Sequence, residues 1–273
     1  MSNRGGLANL LASSFLWGSV SVVTQLFYFA GATSFSLVFF RSVLSILILL
    51  PFVRIRPLIR RNYIILGAIV ALFYEVFIYS VKIAGSALSA VMLYTSILWV
   101  PFFSRIFIGE KFSLAKGISS VLVLVGLYSI YRGTPSLNQV MLGFFAGMFY
   151  GLLISYSKLL QNKGGRELEL IASQSLWSLP FVTPLLLFSG INLDSLAGGG
   201  YLAVFATVLP YFFFYRGLLE SDSFYATLVT ATEPVFALIL AFIVLHIILD
   251  YTQLLGALFI LGGIAVSGVK TKR

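Results

Sequence analysis

Long apolar stretches alternate with short polar breaks along the whole chain. Ten apolar runs stand out, at 7–29, 35–53, 63–82, 86–107, 114–131, 138–160, 168–188, 199–219, 224–246 and 251–269. Each is 18–23 residues long, the length a helix needs to cross a hydrocarbon core about 30 Å thick. The pattern therefore predicts an all-α membrane protein of ten transmembrane helices. The breaks are too short to hold a soluble domain. The first run is longer than the core of a signal peptide, and no small-residue cleavage site follows it, so it is expected to remain as a helix.

The runs fall into two similar sets. Ser223–Gly268 is an apolar hairpin with one acid, Glu233, inside its first arm, and Pro234 follows directly. Proline lacks a backbone donor and opens the helix locally. Half a chain earlier, Ser86–Tyr131 has the same plan: Ala90 aligns with Ala226 at an offset of 136, and Gly126 with Gly263 at 137. One residue of slippage over a hairpin is what a diverged duplication leaves. Trp17-Gly18 in the first run likewise matches Tyr150-Gly151 in the sixth. Two five-helix repeats are expected, over 1–134 and 135–273. Five is odd, so the second copy must enter the membrane inverted. That arrangement places a binding site near the midplane between the copies.

Composition and charge agree with the pattern. Apolar residues make up 59% and charged residues 10%, against about 25% charged in soluble domains. The net charge of +9 does not form a nucleic-acid patch, because the bases sit between the runs. With the amino terminus inside and ten spans, 15 of 18 Lys and Arg fall at cytoplasmic ends. Only Lys82 and Arg132 fall outside, and Arg41 lies within a helix. This positive-inside bias predicts both termini in the cytoplasm, and residence in the cell (plasma) membrane is expected. With no cysteine, disulfides and thiolate chemistry are excluded, and the single histidine, His246, builds no metal site alone. No triad, paired catalytic carboxylates or phosphate loop appears, so neither an enzyme nor a cofactor is expected.

The candidate chemistry lies inside the runs. Arg41, Glu75 and Glu233 are intramembrane charges, each costly unless turned to the bundle or a partner. Arg41 and Glu75 stand at similar depth on antiparallel neighbours and are expected to pair. Such a pair either neutralises itself or holds the two ends of a zwitterion, and Glu233 either serves the proline break or meets the solute. Trp17, Tyr79, Tyr94, Tyr150, Gln174, Trp177 and Tyr211 complete the expected cavity, because aromatics with polar handles grip amphipathic solutes. Pro101, Pro180, Pro184, Pro210 and Pro234 free carbonyls for it. Gly143, Gly147 and Gly151 form a small-residue face for close helix packing.

These residues resemble a family. Thr232-Glu233-Pro234-Val235, followed by Gln253-Leu254-Leu255-Gly256 and Gly262-Gly263, is similar to the second EamA domain of the drug/metabolite transporter superfamily. Ile108-Gly109-Glu110-Lys111 resembles the family's Leu-Gly-Glu-Arg turn, and Trp17-Gly18 its Trp-Gly in the first helix. The chain departs from the pattern at Leu245-His246-Ile247, where a second acidic turn would stand, and at Ser96-Ile97, where the Glu-Pro pair would stand. The resemblance implies a ten-helix bundle with a central cavity and with the fifth and tenth helices peripheral. It also implies a secondary transporter of small metabolites. An exporter of amino acids or related amphipathic solutes is expected, with protons as a candidate coupling ion, the bilayer as its surroundings and a monomer favoured. A passive channel or uniporter is the alternative, and an intramembrane enzyme the remote one.

Overall fold

The computed structural model describes residues 4–131, 135–245 and 250–268, which are helical and without strands. Arg132, His246, Lys270, Lys272 and Arg273 lie outside them. Among the described residues, six helical segments are long and apolar enough to cross a membrane: Ser34–Phe52, Arg61–Gly85, Leu88–Ile108, Leu137–Asn162, Ser195–Leu219 and Ser223–Leu240. Leu114–Ile130 and Tyr251–Ser267 are apolar but shorter. The first and seventh runs are interrupted helices, so neither passes that test as one continuous element.

In chain order, α1 is Arg4–Trp17, α2 Val20–Phe29, α3 Ser34–Leu49, α4 Ile55–Leu58, α5 Arg61–Leu93, α6 Ser96–Ile108 and α7 Leu114–Ile130. The second half follows with α8 Leu137–Asn162, α9 Glu167–Val182, α10 Leu186–Ser189 and α11 Ser195–Tyr201. A wider π-type turn, Leu202–Val208, leads into α12 Leu209–Leu219, then α13 Ser223–Thr230, α14 Glu233–Leu245 and α15 Tyr251–Gly268. Helix is the only regular state an isolated apolar segment can take in lipid, where each backbone donor needs an internal acceptor. The polar residues between runs supply caps. Ser113 accepts from the Lys116 amide, Asp222 from that of Tyr225, and Ser136 forms a capping box with Gln139. Gly85, with φ of +79°, turns the chain sharply within α5 and separates the third apolar run from the fourth.

Contacts between elements come in matched sets. α7 packs along α15 and α3 on α9, each pairing an element with its counterpart in the other half. α1 on α12 is matched by α8 on α5, and α3 on α11 by α9 on α5. This is the two-repeat fold of a helical bundle. At the α7–α15 seam the approach is close enough to require glycine. A Cβ added at Gly126 would stand 2.5 Å from the Gly256 carbonyl oxygen, and one at Gly263 would stand 3.0 Å from that of Ser119.

Candidate functional site

Two prolines organise the centre of the bundle. A helical carbonyl is normally satisfied by the amide four residues on, so Pro210 cannot serve Ala206 and Pro234 cannot serve Thr230. Both carbonyls are taken up by side chains from the first half. Ala206 O accepts from the Arg41 guanidinium at 2.9 Å and from Trp17 Nε1 at 3.1 Å. Thr230 O accepts from Tyr94 Oη at 2.6 Å and from Ser14 Oγ at 3.0 Å. Arg41 Nε also donates to Thr207 Oγ1 at 2.6 Å, and that hydroxyl donates back to Leu202 O across the wide turn.

Three helix breaks meet around these carbonyls. The chain leaves helical geometry at Gly18–Ser19, at Tyr94–Thr95 and at Ala231–Thr232. The second and third are 137 residues apart, which is the repeat offset. Tyr94 spans between them, its hydroxyl also 2.6 Å from Glu233 Oε2. Gly18 lies directly against α14, where an added Cβ would stand 3.2 Å from Glu233 O and 3.3 Å from Ala237 N. On the opposite side Gly147 lies against the other break, and its Cβ would stand 3.0 Å from Leu93 O and from Ser96 N. Thus the small-residue face of α8 serves packing within the chain.

The side chains around the breaks enclose a small cavity. Trp17, Arg41, Tyr150, Tyr211 and Glu233 line it, together with Phe73 and Phe77. It leaves about 30 Å³ for the centres of water-sized molecules, room for one or two waters and too little for an organic solute. Trp17 meets Tyr211 edge-on at 5.1 Å, and Tyr150 stacks on Phe73 at 5.1 Å. Arg41 is 3% exposed, and its Cζ lies over the Tyr74 ring, 3.7 Å from its centroid. Glu233, 4% exposed, receives Tyr94 as its donor.

Five of the ten expected residues therefore line one cavity, and Tyr94 stands behind Glu233. The other four lie elsewhere. Gln174 is buried and hydrogen-bonds Tyr215, whose ring adjoins Tyr211. Trp177 donates to Leu58 O at 2.6 Å, at the edge of the bundle. Tyr79 is 42% exposed on the outer surface.

The expected Arg41–Glu75 ion pair is absent. Among the described residues the one ion pair is Lys116–Asp222 at 3.1 Å. Arg41 turns instead to the carbonyl that Pro210 frees, because a fixed acceptor is available there at no cost in mobility. Both carboxyl oxygens of Glu75 are buried without a hydrogen-bond partner among the described residues. The acid does not line the cavity and lies near Tyr28.

Sequence reasoning missed Phe73, Phe77, Tyr74 and Thr207. Phe73 and Phe77 are four apart on α5, a spacing that marks a shared helix face. In a chain of 26 Phe that signal does not stand out. Thr207 had a clearer marker, three residues before Pro210.

None of the curated proteins matches the chain by sequence. A solved structure titled "Crystal structure of protein" is similar in fold, with a TM-score of 0.77 and 15% identity over 96% of each chain. Residues 4–132 and again 137–269 match the EamA-like transporter family. The two matches cover nearly the whole chain, and the helical bundle built around paired breaks is consistent with them. The chain belongs to the EamA-like transporter family, a family of membrane transporters of small solutes and not of enzymes.

Proposed function

We propose that the chain is an alternating-access carrier for small amphipathic solutes bearing a carboxylate, with amino acids and their relatives the first class to test, moved outward across the cell membrane. The observation that carries this reading is Arg41. It is a cavity-lining guanidinium with no carboxylate within 4 Å among the described residues, and it is held in place by Thr207, Ala206 and Tyr74. A planar donor fork fixed at the rim of a cavity suits a carboxylate. Glu233 across the same space suits an ammonium group, and the rings of Trp17, Tyr150 and Tyr211 suit an apolar side chain.

Alternation is supported by ties between the halves at both ends. At one end Glu110 accepts from the Ser223 amide at 3.0 Å, and Lys116 pairs with Asp222. At the other, Asn192 N donates to Ser36 Oγ and Thr33 N to Ser195 Oγ, both at 3.0 Å. A bundle tied at both ends around a nearly filled centre suits a carrier between its two open states better than a standing pore. The path we propose has ten spans with both termini in the cytoplasm and repeats at 1–134 and 135–273. Outward transport rests on resemblance, and a monomer is the favoured state. Glu75, a buried acid that no described side chain satisfies, is the candidate proton carrier.

Counterflow in proteoliposomes tests this reading. Vesicles preloaded with unlabelled amino acid should accumulate label above equilibrium, and Arg41→Lys should abolish the overshoot, because an ammonium cannot reproduce the fork. Permeation without overshoot would establish a pore instead.

A further inference from the structure

A second, basic cleft lies away from the central cavity. A cleft of about 280 Å³ opens between the loop after α3 and the loop between α8 and α9. Arg54, Arg60, Lys163 and Arg166 line it, with Glu169 as the one acid on its wall. None of the four cations forms an ion pair among the described residues. Arg60 and Arg166 are also the residues that open α5 and α9, and neither helix start has a side-chain cap. Two helix N-termini with uncapped amides thus add their partial positive charge to that of four side chains.

The cleft adjoins an apolar groove. Ile59, next in sequence to Arg60, is the first residue of that groove, which continues along the outer face of α9 and the turns after it. Leu176, Pro180, Thr183 and Leu187 line it at helical spacing. Eleven residues of helix span about 16 Å, comparable to the length of a fatty-acyl chain. Trp177 fixes the junction by donating to Leu58 O at 2.6 Å. The groove faces outward on a chain that lives in lipid, and its polar end is the basic cleft.

We propose that this composite site binds an anionic phospholipid, with the phosphate among Arg54, Arg60, Lys163 and Arg166 and one acyl chain along α9. Charge complementarity decides the headgroup: three net positive charges with helix-terminal amides select a phosphate that lacks a neutralising choline. The groove decides for a lipid over a free phosphate, since a soluble anion would leave it unfilled.

Native mass spectrometry of the delipidated full chain tests this, with phosphatidylglycerol and phosphatidylcholine of identical acyl chains as probes. Phosphatidylglycerol should be retained preferentially, and the double variant Arg60→Gln/Arg166→Gln should weaken it by about tenfold or more. Thr183→Trp, which fills the groove, should also release it. All three side chains are exposed, so the melting temperature without lipid should stay unchanged. Should the double variant not fold, Arg54→Gln/Lys163→Gln makes the same test. Equal retention of the two lipids overturns the proposal, as does indifference to the arginine substitutions. Displacement by inorganic phosphate with Thr183→Trp silent would identify a free-anion site and overturn it as well.

Discussion

Tyr94 offers the sharpest test of how the two halves are joined. Its hydroxyl is fully buried and stands 2.6 Å from both Thr230 O and Glu233 Oε2. One hydrogen serves two acceptors. Tyr94→Phe leaves Thr230 O with Ser14 Oγ at 3.0 Å, so the loss falls chiefly on the buried carboxyl of Glu233. A buried hydrogen bond to a charged group contributes about 1.5–3 kcal/mol in soluble proteins. Side-chain bonds between membrane helices average about 0.6 and reach about 1.7. The expected cost is therefore about 1–2 kcal/mol, or about 3–6 °C in melting temperature for a chain of this size. Glu233→Leu should also destabilise, since it removes the second acceptor. The double variant should cost clearly less than the two singles together, because two apolar groups in contact leave nothing unsatisfied. Unfolding in detergent, followed for all four proteins, gives the coupling. Additivity within about 0.5 kcal/mol would refute the idea that this hydroxyl links the two breaks.

Four further outcomes are expected. Arg41→Gln and Glu75→Gln should have additive effects on stability, since no ion pair joins them, and a strong positive coupling in a double-mutant cycle would contradict the geometry. Gly147→Val should abolish folding or lower the melting temperature sharply, because its Cβ meets the Thr95 hydroxyl and, behind it, the backbone of the Tyr94 break at Leu93 O and Ser96 N; a wild-type melting curve would show that the helices can part. Glu110→Ala should untie one end from Ser223 and raise labelling of a cysteine placed at Leu93 from that side. With no native cysteine there is no background, and unchanged labelling would deny the tie a gating role. Reporter fusions after residues 58 and 164 should read inside and those after 135 and 195 outside, and a reversed reading at any of them breaks the ten-span path.

What the sequence by itself determined is what depends on local or one-dimensional order. The apolar runs set the helices, because lipid allows an isolated segment little else. The offset of 136–137 exposed the two halves, since duplication is written in register. Pro210 and Pro234 could be read as sources of free carbonyls, because a missing N–H is a property of the residue alone. Tertiary structure decided which groups answer those carbonyls. Arg41 was expected to meet Glu75 on grounds of depth, but depth does not tell in which direction around the axis a side chain points. In the bundle α3 lies beside the π-type turn, so the guanidinium reaches Ala206 and Thr207. Depth likewise suggests Trp177 and Tyr79 for the cavity, but Trp177 is half-buried against α5 and bonded to Leu58 O, and Tyr79 is exposed. The break at Tyr94–Thr95 has no proline within its first turn. It stands where Gly147 admits the backbone of α5 and α6 and where Tyr94 can reach its counterpart break in the other half, conditions that exist only once both halves are packed.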